Sequence, residues 1–252
     1  ALSEKLSSEE LRRELAKPEV KALILSEEDS APDASKQFDS IGAFLLSMLD
    51  KMYSMGDTPD YEPGPQQLVT NMAVAAGVDP VSFAYDLLNK DEGRSFLMLP
   101  FFNYVGGTQD AIYEMLKHPA TVSGLSDGGA HVRMICDASI PTYVLSHWAR
   151  DRHRGPKLTI EEAVKVQTLD TAKVMGFDDR GQLAVGKKAD INIIDMENLA
   201  LGFPHAEDDL PAGGRRLLQT ATGYVATIVN GVVTRRHGAD TGARPGRLVR
   251  SR

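Results

Sequence analysis

The segment Thr121-Val-Ser-Gly-Leu-Ser-Asp-Gly-Gly-Ala-His131 brings together residues whose types and spacing can do chemistry. Its first half is apolar enough for a short strand, Thr121–Ser126, and Asp127 would stand at that strand's C-terminal tip. Gly128 and Gly129 then permit a tight turn, and His131 follows the carboxylate by four residues. A carboxylate so placed can act as general base, taking a proton from water and passing it to a leaving nitrogen. Strand tips are where βα-barrels hold their chemistry. The alternative reading of Asp127 is an ordinary turn or helix-capping aspartate, and that of His131 a packed loop histidine.

Partners for Asp127 are scarce. The six histidines, His118, His131, His147, His153, His205 and His237, form no His-x-His or His-x-x-x-His pair, whereas a catalytic zinc usually takes three protein ligands and a water. Cys136 is the single cysteine, which excludes a disulfide within the chain and a Cys-based zinc site. It reads as a small buried residue. His147–Trp148 lie in an apolar helical stretch and read as core. Gly213–Gly214 precede Arg215–Arg216 and not a helix after a strand, so they are no phosphate loop.

The elements that must position these groups follow from local signals. Ser7 and Glu10 make a capping box for a helix over 7–17, and Pro18 suits the first turn of the next. Residues 26–40 are acidic and polar, and Ile41–Met55 is apolar at mixed spacing. Asp57–Pro65 is a loop. A helix over 66–76 stops at Gly77, and Asp79–Pro80 opens another through Leu88. Ser95–Phe101 is continuously apolar and predicts a buried parallel strand. Thr108 caps a helix ending at His118–Pro119, and Thr159 with Glu162 opens one that closes at Gly176. Alternating strands and helices predict an α/β fold with a parallel sheet. The tail differs. Gly181–Leu183, Ala189–Asp195 and Tyr224–Arg236 read as short strands of an antiparallel module, with a hairpin turn at Asn230–Gly231.

With 28 Lys and Arg against 35 Asp and Glu, the net charge is −7, which disfavours a nucleic acid or an anionic membrane as partner. The basic residues Arg235, Arg236, Arg244, Arg247, Arg250 and Arg252 read as a solvated surface. No apolar run approaches the ~20 residues of a membrane helix. The chain opens in charged helical sequence without a signal-peptide pattern and reads as a cut beginning. Cysteine usage fits a reducing, cytoplasmic compartment.

Five stretches in order carry a resemblance: Gly124-Leu-Ser-Asp-Gly-Gly-Ala-His131, Cys136-Asp-Ala-Ser-Ile-Pro-Thr-Tyr143, Gly181-x-Leu-x-x-Gly186-x-x-Ala-Asp190, Val229-Asn-Gly231 and Thr241-Gly-Ala-Arg-Pro-Gly246. Together the chain resembles the C-terminal portion of metal-dependent amidohydrolases of the N-acyl-D-amino-acid deacylase (D-aminoacylase) branch. The resemblance implies an α/β fold: the C-terminal part of a (β/α)8 TIM-type barrel over 1–178, and C-terminal strands of a small β-sandwich over 179–252. Ser95–Phe101 would be barrel strand seven and Thr121–Ser126 strand eight. Residues 1–178 hold only these two strands, against the ~250 residues of a closed barrel.

The resemblance also implies a catalytic role for Asp127, contacting one or two zinc ions and taking a proton from metal-bound water. Hydrolysis of the linear amide of N-acyl-D-amino acids follows, a metal-dependent attack on a non-peptide C–N bond. His131 would bind the substrate carboxylate, and Asn103 and Tyr104, after strand seven, would line the substrate pocket; a strand-end turn is their other reading. The family's remaining zinc ligands are absent, so the chain alone is expected to be inactive. They are expected from an N-terminal barrel portion of the same protein or from a separate chain; a homo-oligomer is a further possibility. Two alternatives stay open: a cyclic amidase of the dihydroorotase or hydantoinase type, and a non-catalytic amidohydrolase-like scaffold.

Overall fold

Helix starts are where sequence and structure agree most closely. In the computed structural model, which describes residues 6–27, 42 and 44–249, α1 (Ser8–Leu15) begins with the expected capping box. The Ser7 N–H donates to Glu10 Oε2 at 2.9 Å and the Glu10 N–H to Ser7 Oγ at 3.3 Å. Both donors would otherwise face the helix end unpaired. Pro18 opens α2 (Pro18–Ser26). Next, α3 (Val69–Ala76) stops at Gly77. Asp79 caps α4 (Pro80–Gly93), accepting from the Val81 and Ser82 N–H groups at 3.0 and 2.9 Å. Most of the polar stretch over 26–40, and Ile41 and Ala43, lie outside the described residues.

Contacts group the chain into two units, Ala1–Gly107 and Thr108–Arg252. The division falls inside the stretch read as the barrel portion. In the first unit the core is Leu49, Met52, Val69 and Ala84. The Lys21–Asp86 ion pair (2.6 Å) and the Tyr85 hydroxyl, which donates to Leu15 O at 2.7 Å, fasten α2 and α1 to α4. Residues 57–64 are loop, as expected, but Pro65–Gln67 form a 3₁₀ turn, so the helix expected from 66 starts only at Val69. Ser95–Phe101 is not the parallel strand expected of it. Only β2 (Leu97–Met98) forms, antiparallel to β1 (Tyr53–Ser54). Pro100 has no N–H to extend that ladder, and Phe101 and Phe102 beyond it are exposed.

In the second unit α5 (Asp110–Lys117) starts at Gln109, with Thr108 beside it: the Thr108 hydroxyl donates to Asp110 Oδ2 at 3.1 Å. Thr121–Ser126, expected as a strand, forms none. No described segment offers it a ladder, and Val122 and Leu125 remain exposed. A parallel strand needs neighbours to satisfy its backbone. A short 3₁₀ turn, Asp137–Ser139, leads into α6 (Ile140–Tyr143), which continues as a π-helix over Val144–Asp151. The Thr159–Glu162 capping box opens α7 (Ile160–Gln167), followed by α8 (Leu169–Val174).

The core of this unit joins Trp148, Val144 and Leu145 to Leu158, Ala163, Val166 and Leu199, so His147–Trp148 does sit against the core. Arg152 is wholly buried, 4.7 Å from the Trp148 ring, and its guanidinium donates to Asp110 Oδ1 and Pro156 O, both at 2.6 Å. A buried charge is tolerable only when paired and hydrogen-bonded in this way.

The tail forms a four-stranded antiparallel sheet in the order β10 (Ala239–Asp240), β9 (Val232–Arg236), β8 (Tyr224–Val229), β3 (Ile191–Ile194). The β8–β9 turn is the expected one, with Asn230 at φ 50° and Gly231 at φ 80°; both central residues must take positive φ in this tight hairpin. Asp190 Oδ1 accepts the Asn230 N–H at 2.8 Å and the Gly231 N–H donates to Ala189 O at 2.9 Å, which ties the hairpin tip to the start of β3. Asp190 of the Gly181–Asp190 stretch is thus a structural residue. Gly181–Leu183 forms no strand, and Leu183 is exposed. Two further pairs join β4 (Ala200–Leu201) to β7 (Ala221–Thr222) and β5 (His205–Leu210) to β6 (Gly214–Leu218). Every strand pair among the described residues is antiparallel. The protein is therefore a mixed helix-and-strand fold in which the expected parallel pairing is not seen.

Candidate functional site

Asp127 stands on a chain of tight turns. The Gly128 N–H donates to Leu125 O at 3.0 Å, the Ala130 N–H to Asp127 O at 2.8 Å, and the Met134 and Ile135 N–H groups to His131 O at 2.8 and 3.1 Å. Glycine is needed at both central positions for different reasons. A Cβ on Gly128 would come within 2.9 Å of Leu125 Cγ and 3.1 Å of Leu125 O, whereas Gly129 has open space but φ 97°. Ser126 (φ 49°) and His131 (φ 44°) also adopt left-handed backbone, which non-glycine residues do at some cost. The turns present both Asp127 and His131 to solvent.

Two contacts hold these turns, and the sequence reading identified neither. Asp137 Oδ2 accepts the Asp127 N–H at 3.3 Å. Asp137 lies within the Cys136–Tyr143 stretch, where an acidic residue just before a helix was the available signal. The Leu217 N–H of β6 donates to Val132 O at 2.7 Å. The β5–β6 hairpin behind this contact is laced by Asp208–Arg215 and Asp209–Arg216 ion pairs at 2.7 and 2.6 Å. Two adjacent acids and two adjacent arginines flanking Pro211–Gly214 were its signature. Arg215, bonded to Asp208, holds that carboxyl below the usual carboxylate range, with Arg133 adding a smaller attraction. Burial, then the charge of Asp137, raises the Cys136 thiol above its ordinary value, which disfavours the thiolate a metal ligand or nucleophile requires.

Asn103 and Tyr104 fall in the first unit, Asp127 and His131 in the second. Asn103 is exposed at φ 61°. Tyr104 is buried, its hydroxyl donates to Pro63 O at 2.6 Å, and its ring meets Tyr53 edge-on at 5.7 Å. That arrangement gives Tyr104 a packing function within its own unit.

The zinc implied by resemblance does not fit the donors present. Among the described residues no group of three or more His, Cys, Asp or Glu could hold a metal ion. All six histidines and Cys136 are among those residues, so the segments outside them add only carboxylates. Asp127 and His131 fall short of the three ligands of a catalytic site. What the turns can do is place a solvent-facing carboxylate and an imidazole on one loop. Among the described residues no helix is long and apolar enough to cross a membrane.

Comparisons with curated proteins and with solved structures each returned no match. The family model described as "Amidohydrolase family" matches residues 3–235. With nearly all of its length covered by that match, the chain belongs to the amidohydrolase family.

Proposed function

We propose that this chain contributes Asp127 to an enzyme hydrolysing the linear amide of N-acyl-D-amino acids. Family membership makes it part of a hydrolase of amide or related C–N bonds; the substrate class is our reading. The observation that carries it is the turn at Gly128–Gly129, which leaves Asp127 exposed and its backbone fixed by Asp137. From there Asp127 accepts the proton of the attacking water and returns it to the leaving nitrogen, a step typically worth ~10²–10⁴-fold. His131, four residues on, donates a hydrogen bond to the substrate's α-carboxylate, and a charged acceptor strengthens that bond. Because the α-carboxylate does not change during the reaction, this contact acts equally in ground and transition states. Zinc donors, which the described residues lack, come in this reading from another portion of the protein or a partner chain.

The test is a substrate panel for the enzyme assembled with those donors: N-acetyl-D-amino acids, their L-isomers, and a cyclic amide such as dihydroorotate. We expect the linear D-substrates to be preferred. Preference for the cyclic amide would replace this reading with the cyclic-amidase one, and turnover of none would favour the scaffold.

A further inference from the structure

We propose that a groove on the second unit, between α5 and the α7–α8 pair, binds a small amphipathic monocarboxylate, that is, an apolar body carrying one carboxylate. The groove is broadly open to solvent and holds about 450 Å³, a size within the range of small-molecule sites. Its lining takes in Thr121 and Val122 of the segment that leads to Asp127, but none of the turn residues 125–135, and the inference makes no use of amide hydrolysis.

The base of the groove is apolar: Leu158 and Val166, both buried in the core, with Leu116 half-buried beside them. Its rim is charged, and the charges do not cancel. Lys117 is paired with Glu162, and Lys165 with Asp170 at 2.6 Å. Lys173, exposed in the last turn of α8, has no acidic partner among the described residues. The rim therefore keeps one cation for an incoming anion. His118 lines the same groove, and its Nδ1 accepts the Ala120 N–H at 3.2 Å. That bond leaves Nε2 to carry the proton of the neutral ring, so the histidine offers a donor. An apolar base, one uncompensated ammonium and one imidazole donor together suit a monoanion with an apolar body. A polyanion would meet Glu162 and Asp170, and a neutral apolar molecule would leave Lys173 unused.

The probe is sodium octanoate, titrated into the 252-residue chain and followed by the methyl NMR signals of Leu116, Leu158 and Val166. We expect saturable shifts confined to these methyls, with Kd of about 1 mM or tighter, as suits a ligand of this size. Octanamide, equally apolar but uncharged, and acetate, charged but without the apolar body, should each bind at least tenfold more weakly. Lys173→Gln should weaken octanoate at least tenfold and Lys173→Arg should retain it; both lie on an exposed helix end, so the fold survives either change. Equal binding of octanoate and octanamide, equal binding of acetate, an unchanged Kd in Lys173→Gln, or no saturable shift of the groove methyls would each overturn the proposal.

Discussion

Tyr224–Arg236 and Thr121–Ser126 both carry the apolar, β-prone sequence of a strand, and only the first becomes one. The hairpin brings its own partner: β8 and β9 are joined by two residues, Asn230 and Gly231, whose backbone takes the turn without distortion of the register at its tip, Val229 facing Val232. Thr121–Ser126 has a neighbour only if one is supplied from far away, and among the described residues none is. The difference separates two uses of β-prone sequence. One stretch stabilises the unit it sits in. The other leads to a turn whose glycines leave Asp127 in the open and whose side chains add little to the core.

That comparison predicts different responses to substitution, the largest for the packed region. Leu199→Ala removes a wholly buried side chain from the core under the tail and should cost about 2–5 kcal/mol, read from urea unfolding, with no change in the assembled enzyme's activity per folded molecule. A loss confined to activity would place that core at the site and break the comparison. Asp127→Asn should do the opposite. In the assembled enzyme it should lower kcat by at least ~10², with the thermal midpoint unchanged; unaltered kinetics would remove Asp127 from the mechanism.

The glycines sharpen the contrast with one chemical change at two places. Gly231→Ala puts a Cβ on a residue at φ 80° in the hairpin and should destabilise by about 1 kcal/mol or more. Gly129→Ala imposes the same kind of strain at φ 97°, but on turns that carry no core. It should shift Asp127 and be read mainly in catalysis, with amide hydrogen exchange faster at Ala130 and Gly128. The smallest effect concerns acid stability at the end of the sheet. Arg244, and then the Gly242 N–H, hold the Asp240 carboxyl at about 2, below its ordinary 3.8. A depressed folded value means that the stabilisation is complete above pH ~4 and is lost as pH falls toward 2. Asp240→Asn should flatten that limb in thermal melts between pH 4 and 2 and lower the neutral-pH midpoint by the same small amount, small because the pair is exposed.

What the sequence made legible divides along the same line. Ser7–Glu10, Asp79–Pro80, Thr159–Glu162 and Asn230–Gly231 act within a few residues, so their capping and turn chemistry could be read directly. The Gly128–Gly129 turn was legible for the same reason. The β5–β6 hairpin was missed because polar, charged residues 205–210 and 214–218 lack apolar alternation, and cross-strand ion pairs replace it. The expected strands at 95–101 and 121–126 failed because pairing is a property of a partner and not of the segment itself. Asp137 as the acceptor of the Asp127 N–H escaped notice because that bond spans ten residues and depends on where the intervening turns lead.

Asp127 stands on a solvent-facing turn, and among the described residues no three donors could hold a zinc ion beside it. Zinc analysis of the purified 252-residue chain, after equilibration with the metal and removal of excess, tests it most directly when paired with an N-acetyl-D-amino-acid assay on the same sample. We expect zinc far below one equivalent and no turnover. One bound equivalent, with hydrolysis that Asp127→Asn abolishes, would contradict it.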